Sequence, residues 1–349
     1  MKIVFRILVF SFLFCGGISV YAQSILETYY KGNKDSLTKD ATQLIQLREP
    51  TFKSVSSHNA ESIKDLGLEQ PNRFRKHFFK ARDGKKIFAY HFPTKSQNTI
   101  VLIHGVGTTS YTFNKTAGLL QAATNANVYA IDLRGHGKSD GASGDVDYIN
   151  QYADDLADVV ATIRKKQPNG KIIIAAHSMG GGITFNYLIA HSSHQIDGVL
   201  MFAPLLSQLS PAIKQPQRTK GDTTEPFMKI HIERIIGLKM LNEIQNTSLN
   251  HLPVLFFNKP TNDLLRTYSY RANQSMSPEN HKIGLKAVNI PFLVLIGTKD
   301  EAFDATIMKK TVEANSKGRC EIIEGYSHNG IRHAPEAYQL IGDWFKTLK

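Results

Sequence analysis

The first place in this sequence where chemistry can be read is a serine set among small residues at the end of an apolar run. Residues 172–182 read Ile-Ile-Ile-Ala-Ala-His-Ser-Met-Gly-Gly-Gly. A strand that runs into a helix through one sharp turn pushes a serine Oγ out to where substrate can reach it. Side chains two positions either side of that serine would collide with backbone, and here those positions hold Ala176 and Gly180. The common pattern is G-x-S-x-G, so Ala176 replaces the usual first glycine. A serine before glycines is also an ordinary helix N-cap, and the choice between the two readings rests on the other loops.

Those loops supply what a nucleophilic serine needs. The run Thr99–Ile103 ends in His104-Gly105-Val106-Gly107, where glycines permit a tight turn that aims backbone N–H groups into a cleft. The N–H groups of Val106 and Met179 are the candidate oxyanion hole, at roughly 3–4 kcal/mol per donor. The run 291–296 ends in Gly297-Thr298-Lys299-Asp300, and the last strand ends in Gly325-Tyr326-Ser327-His328. Serine, acid and histidine thus follow one another in the order Ser178, Asp300, His328. His328 would take the serine proton and later protonate the leaving group, while Asp300 would fix its tautomer. Asp304 and Glu301 are alternative acids, and His333 an alternative base. His104 is read as a support for the oxyanion turn, and Arg134 and His136 as braces of the neighbouring loop. Gly137-Lys138-Ser139 resembles a phosphate loop, but that pattern needs glycine at 132, where the chain has Asp132. His191 and His194 are read as a surface pair and not as metal ligands.

The elements that must position these residues alternate. Phe74–Ala81 and Lys86–Phe92 flank Asp83-Gly84 as a hairpin. Short apolar runs then read as buried parallel strands at 99–103, 127–132, 171–176, 198–202, 291–296 and 319–323. Helical stretches at 152–166, 179–190 and 335–348 separate or follow them. This is a doubly wound, mostly parallel sheet of eight strands. Residues 23–75 read as an N-terminal helical extension, and 76–205 with 287–349 as the core. The connection over 206–286 is too long for a structureless loop, and its apolar residues suggest a helical lid inserted before the last two strands.

Residues 1–22 combine Lys2 and Arg6, an apolar run from Ile3 to Phe14 and a small-residue end at Ala22. That pattern is a secretory signal peptide, giving a secreted or periplasmic protein. The apolar run is short for a membrane span, and Phe14 is bulky where lipid attachment at Cys15 would want a small residue. Loss of this segment leaves Cys320 as the sole cysteine, so no intramolecular disulfide can form. The chain carries a formal charge of +12, or +10 without Lys2 and Arg6, compatible with peripheral contact with an anionic membrane surface. No basic block is dense enough to argue for nucleic acid.

The set His104-Gly105, Asp132 to Ser139, His177-Ser178-Met179-Gly180-Gly181, Gly297 to Asp300 and His328 resembles the α/β-hydrolase superfamily. Within it the chain is most similar to the monoacylglycerol lipase and lysophospholipase group, also known as serine aminopeptidase-like hydrolases. The resemblance implies a serine hydrolase without metal or cofactor that acts on a small-molecule carboxylic ester, a monoacylglycerol or lysophospholipid. A short-chain carboxylesterase and a serine aminopeptidase are the competing readings. The aminopeptidase would need an acidic lid pocket, for which Asp222, Glu225 and Glu233 are available. A catalytically silent binding protein on the same fold is disfavoured by the intact triad, and Ser178 argues against relatives that carry Asp there.

Overall fold

A computed structural model describes residues 24–54, 64–191, 195–215, 225–259 and 264–348. The proposed signal segment at 1–22, His194 and Asp222 lie outside them. Eight strands form the central sheet: β1 (Arg75–Lys80), β2 (Lys86–Phe92), β3 (Thr99–Ile103), β4 (Asn127–Ile131), β5 (Ile172–His177), β6 (Gly198–Phe202), and, after an insertion, β10 (Phe292–Gly297) and β11 (Arg319–Ile323). Their spatial order is β1-β2-β4-β3-β5-β6-β10-β11. The pairs β1/β2 and β2/β4 are antiparallel and the remaining pairs are parallel. Every residue of β3, β5, β6 and β10 is buried, as expected of strands covered on both faces. Helices Asn114–Thr124 and Pro335–Thr347 pack together as one group. Gln151–Lys166, Met179–Ala190, His281–Lys286 and Ala305–Asn315 form a second. Cys320 lies on β11, fully buried, and burial pushes its thiol up to about 12.

The hairpin between β1 and β2 forms as expected, with Asp83 and Gly84 in its turn. Ala81 N–H donates to Lys85 O at 2.8 Å and Gly84 N–H to Ala81 O at 2.8 Å, with Gly84 at φ +85°. The connection is therefore three residues closed by a left-handed glycine. The insertion between β6 and β10 is not the all-helical element expected. It holds a small antiparallel sheet of β7 (Met228–Ile230), β8 (Pro253–Phe257) and β9 (Thr267–Ser269), together with helices Ile232–Glu243, Tyr270–Gln274 and His281–Lys286. Pro-Val-Leu-Phe-Phe at 253–257 is rich in residues that suit a half-buried pleated surface.

The N-terminal extension is helical at Ile25–Tyr30 and Lys34–Ile45. Leu37, Ala41, Leu44 and Ile45 repeat at helical spacing and bury one face, which packs on helix Ile232–Glu243. Gly237 permits this approach, since a Cβ there would lie 2.6 Å from Ala41 O. Arg234 bonds Ile45 O at 3.1 Å and Glu49 at 2.7 Å, while Glu243 accepts from Leu26 N–H at 3.1 Å. Among the described residues no helix is long and apolar enough to cross a membrane.

Candidate active site

Ser178 sits between β5 and helix Met179–Ala190 at φ +52° and ψ −117°. A non-glycine residue held there is strained, and such strain collects where function requires it. Neighbouring packing explains the small residues around it. A Cβ at Gly180 would lie 2.9 Å from the carbonyl oxygens of both Ile103 and His104, and one at Gly181 would lie 2.6 Å from Pro204 Cβ. A Cβ at Gly105 would lie 3.2 Å from Ser178 Cβ, so the turn after β3 runs directly against the serine. Val106 follows in that turn, and Met179 opens the helix, whose first N–H groups lack intrahelical acceptors.

The candidate acid and base are joined. His328 Nδ1–H donates to Asp300 Oδ2 at 2.9 Å, and Asp300 is wholly buried. Asp300 Oδ1 accepts from Ala302 N–H and Phe303 N–H, each at 2.8 Å. The carboxylate is thus fixed at one oxygen and turned to the imidazole with the other, which leaves His328 Nε2 as the unprotonated nitrogen. The alternative residues are engaged elsewhere. Asp304 caps helix Ala305–Asn315 by accepting from Ile307 N–H at 2.8 Å, and Glu301 accepts the backbone N–H of His328 at 2.9 Å. His333 is packed against Gly67, and burial lowers its pKa to about 3. His177, the residue before the serine, donates through Nε2 to the His328 carbonyl at 3.0 Å. Burial holds the His177 pKa well below the ordinary value, and its Nδ1 is buried without a partner.

The supports of the candidate oxyanion turn are bonded to one another and to the loop after β4. His104 Nδ1–H donates to Gly105 O at 2.9 Å, and its Nε2 accepts from Leu133 N–H at 3.1 Å. Arg134 is buried and bonds Asp155 at 2.7 and 2.9 Å and Asp83 at 2.7 Å, bracing the loop after β4. Sequence reasoning did not find Tyr268. Its hydroxyl accepts from Gly107 N–H at 2.9 Å and donates to His136 Nε2 at 2.6 Å, while His136 Nδ1–H donates to Arg134 O at 2.8 Å. Burial holds His136 at about 3, the neutral form this chain of bonds requires. Phe227 and Phe257 reach the same turn, since a Cβ at Gly107 would lie 3.0 Å and 3.6 Å from them. Among the described residues no group of three or more His, Cys, Asp or Glu is disposed to hold a metal ion.

A strained serine, a turn of N–H groups against it and a histidine polarised by a buried carboxylate together suit acyl transfer. Comparison with known proteins agrees with that geometry. The profile of the family described as serine aminopeptidase, S33, matches residues 94–333. Monoglyceride lipase of Rattus norvegicus is 24% identical over 277 residues, which span 73% of this chain and 83% of that protein. Monoacylglycerol lipase of Mycolicibacterium smegmatis is 33% identical over 94 residues, but the match spans only 33% of that protein and 27% of this chain. The solved monoacylglycerol lipase of Paleococcus ferrophilus superposes with a TM-score of 0.53 at 21% identity, covering 74% of this chain and 98% of its own. An esterase of Exiguobacterium antarcticum does so at 0.54 and 19%, covering 78% and 100%. At such identities the solved structures speak to the α/β-hydrolase fold.

Proposed function

The chain belongs to the serine aminopeptidase (S33) family and is an ester hydrolase of the α/β fold; from that premise we propose that it cleaves a monoacylglycerol or lysophospholipid through an acyl-enzyme on Ser178. The observations that carry the mechanism are the 2.9 Å bond from His328 to the wholly buried Asp300 carboxylate and the strained backbone of Ser178, whose neighbour His177 bonds the His328 carbonyl at 3.0 Å. Ser178 Oγ attacks the ester carbonyl as His328 Nε2 takes its proton, and the carbonyl oxygen becomes an oxyanion held by the Val106 and Met179 N–H groups. Collapse of the tetrahedral intermediate breaks the bond to the alcohol, which leaves with the proton from His328. Water then attacks the acyl-enzyme with the same base, and fatty acid departs.

An acyl chain is supported by the aromatic wall of Phe227 and Phe257 beside the oxyanion turn. The amide reading is disfavoured by the insertion's acids. Glu225 is held by Lys229 at 2.6 Å and accepts from Lys53 N–H at 3.2 Å, and Glu233 faces His231 at 3.4 Å. We read the insertion as a cover over the cleft, residues 1–22 as an export signal, and the basic surface as a means of meeting anionic lipid. Hydrolysis of p-nitrophenyl esters from acetate to palmitate, beside an aminoacyl-anilide panel and a Ser178→Ala blank, tests the substrate class. A preference for medium or long acyl chains is expected; anilide cleavage with little ester turnover would overturn it. Mature protein beginning at Gln23 by mass spectrometry is the expected sign of export.

A further inference from the structure

We infer that the N-terminal arm belongs to the active-site framework, with Asp65 as a positioning residue for the loop that carries His328. This rests on the reading of His328 as the base. Asp65 lies outside the residues matched by the family profile, 262 positions from the residue it holds. Ser327 immediately precedes His328, and its hydroxyl donates to Asp65 Oδ2 while accepting from Gly330 N–H at 2.9 Å. The loop closes around that carboxylate, since a Cβ at Gly330 would lie 3.0 Å from Asp65 Oδ2.

A buried cation locks the same junction. Arg332 is 1% exposed, stacks its guanidinium 4.3 Å from the centre of the Phe113 ring, and bonds only to oxygens of neighbouring segments. Those are Asn329 O, Asn329 Oδ1 and Thr112 O at 3.2 Å, Asp65 O at 3.0 Å and Leu66 O at 3.4 Å. Burial lowers its pKa to about 10, and the Asp65 charge acts in the opposite direction. A buried charge stays stable only while its partners stay in place, so the arm, the segment after the oxyanion turn and the base loop are held as a unit. The arm is also pinned further along, by Gln70 Nε2 to Tyr111 O at 2.8 Å and by reciprocal bonds of 2.8 Å between Asn72 and Asn114. The imidazole therefore owes its aim to Asp300 from within and to the arm from outside.

The test uses the full chain carrying Ser327→Ala, Ser327→Thr, Asp65→Ala, and Ser327→Ala combined with Asp65→Ala. With p-nitrophenyl butyrate, kcat of either alanine variant should fall by about 10- to 100-fold, with KM within about twofold. Ser327→Thr, which keeps the hydroxyl, should restore kcat. The double variant should be no slower than Ser327→Ala, which already removes the bond to Asp65 together with the one from Gly330 N–H. A folded Ser327→Ala protein with unaltered kcat overturns the inference, as does a loss carried by KM alone or one that Ser327→Thr does not restore. If Asp65→Ala does not fold, Ser327→Ala decides alone, because it removes a single oxygen. A wild-type chain that neither turns over esters nor accepts a fluorophosphonate on Ser178 overturns the functional reading along with the inference, and that result is seen before any variant is compared.

Discussion

Replacing Asp300 by asparagine exchanges one oxygen for an amide nitrogen and reverses the proton order of the site. Asp300 Oδ1 accepts two backbone N–H groups at 2.8 Å, so the asparagine must present its own oxygen there, because an amide NH₂ would face two donors. Its NH₂ is then turned to His328, 2.9 Å away, and must donate to Nδ1. The imidazole proton moves to Nε2, where it cannot accept the serine proton. A loss of roughly 10⁴ in kcat is expected, equivalent to about 5 kcal/mol of barrier. Stability should change little, because both backbone donors keep an acceptor. Asp300→Ala would leave those donors unpaired, at about 1–3 kcal/mol each, and is the poorer probe. The assay is steady-state ester hydrolysis normalised by fluorophosphonate titration, with urea unfolding as the control for folding. Retention of more than about a tenth of wild-type kcat in a folded Asp300→Asn protein would refute the assignment, as would an equal loss in Asp304→Asn.

Three further outcomes are expected. Tyr268→Phe deletes the hydroxyl shared by Gly107 and His136 and leaves two buried groups unpaired; urea unfolding should show a loss of about 1–3 kcal/mol, and kcat should fall more than KM rises. Asp304→Ala removes the cap of helix Ala305–Asn315; it should cost about 1 kcal/mol in the same experiment and leave ester turnover unchanged. Stability should also decline on mild acidification. His136 is held at about 3 when folded but titrates near 6.5 when unfolded, so below that value the unfolded chain binds the extra proton and stability falls with pH until the folded pKa is passed. At pH 5 this one group costs about 2 kcal/mol relative to neutral pH, and urea midpoints that do not move between pH 7.5 and 5 would contradict it.

The core was legible because its signals are local. The interior strands β3, β5, β6 and β10 are covered on both faces and read as continuous apolar runs. Each of the six runs from 99–103 to 319–323, the last at the sheet edge with Arg319 exposed, lies within a residue of its observed bounds. The candidates Ser178, Asp300 and His328 were legible as a set because each follows a strand of the sheet. The insertion was misread for the converse reason. Phe227, Met228 and Ile230 make a short apolar stretch whose spacing does not separate helix from strand, and β7 is three residues long. Tyr268 and Asp65 carry no motif at all. Their roles come from contacts across 161 and 262 positions of sequence, set by how distant segments pack.

Cys320 offers a way to watch this framework without any substrate. It is the one free cysteine among the described residues, has no exposed surface, and sits on the strand that pairs with β10 and leads into the His328 loop. Its thiol is inert while that edge of the sheet is closed and becomes reactive when it opens. In a Cys15→Ser background, the rate at which a thiol reagent modifies the folded protein therefore counts excursions of the two strands that lead into the Asp300 and His328 loops. Comparing that rate with global unfolding would tell whether the edge opens by itself or only with the whole molecule.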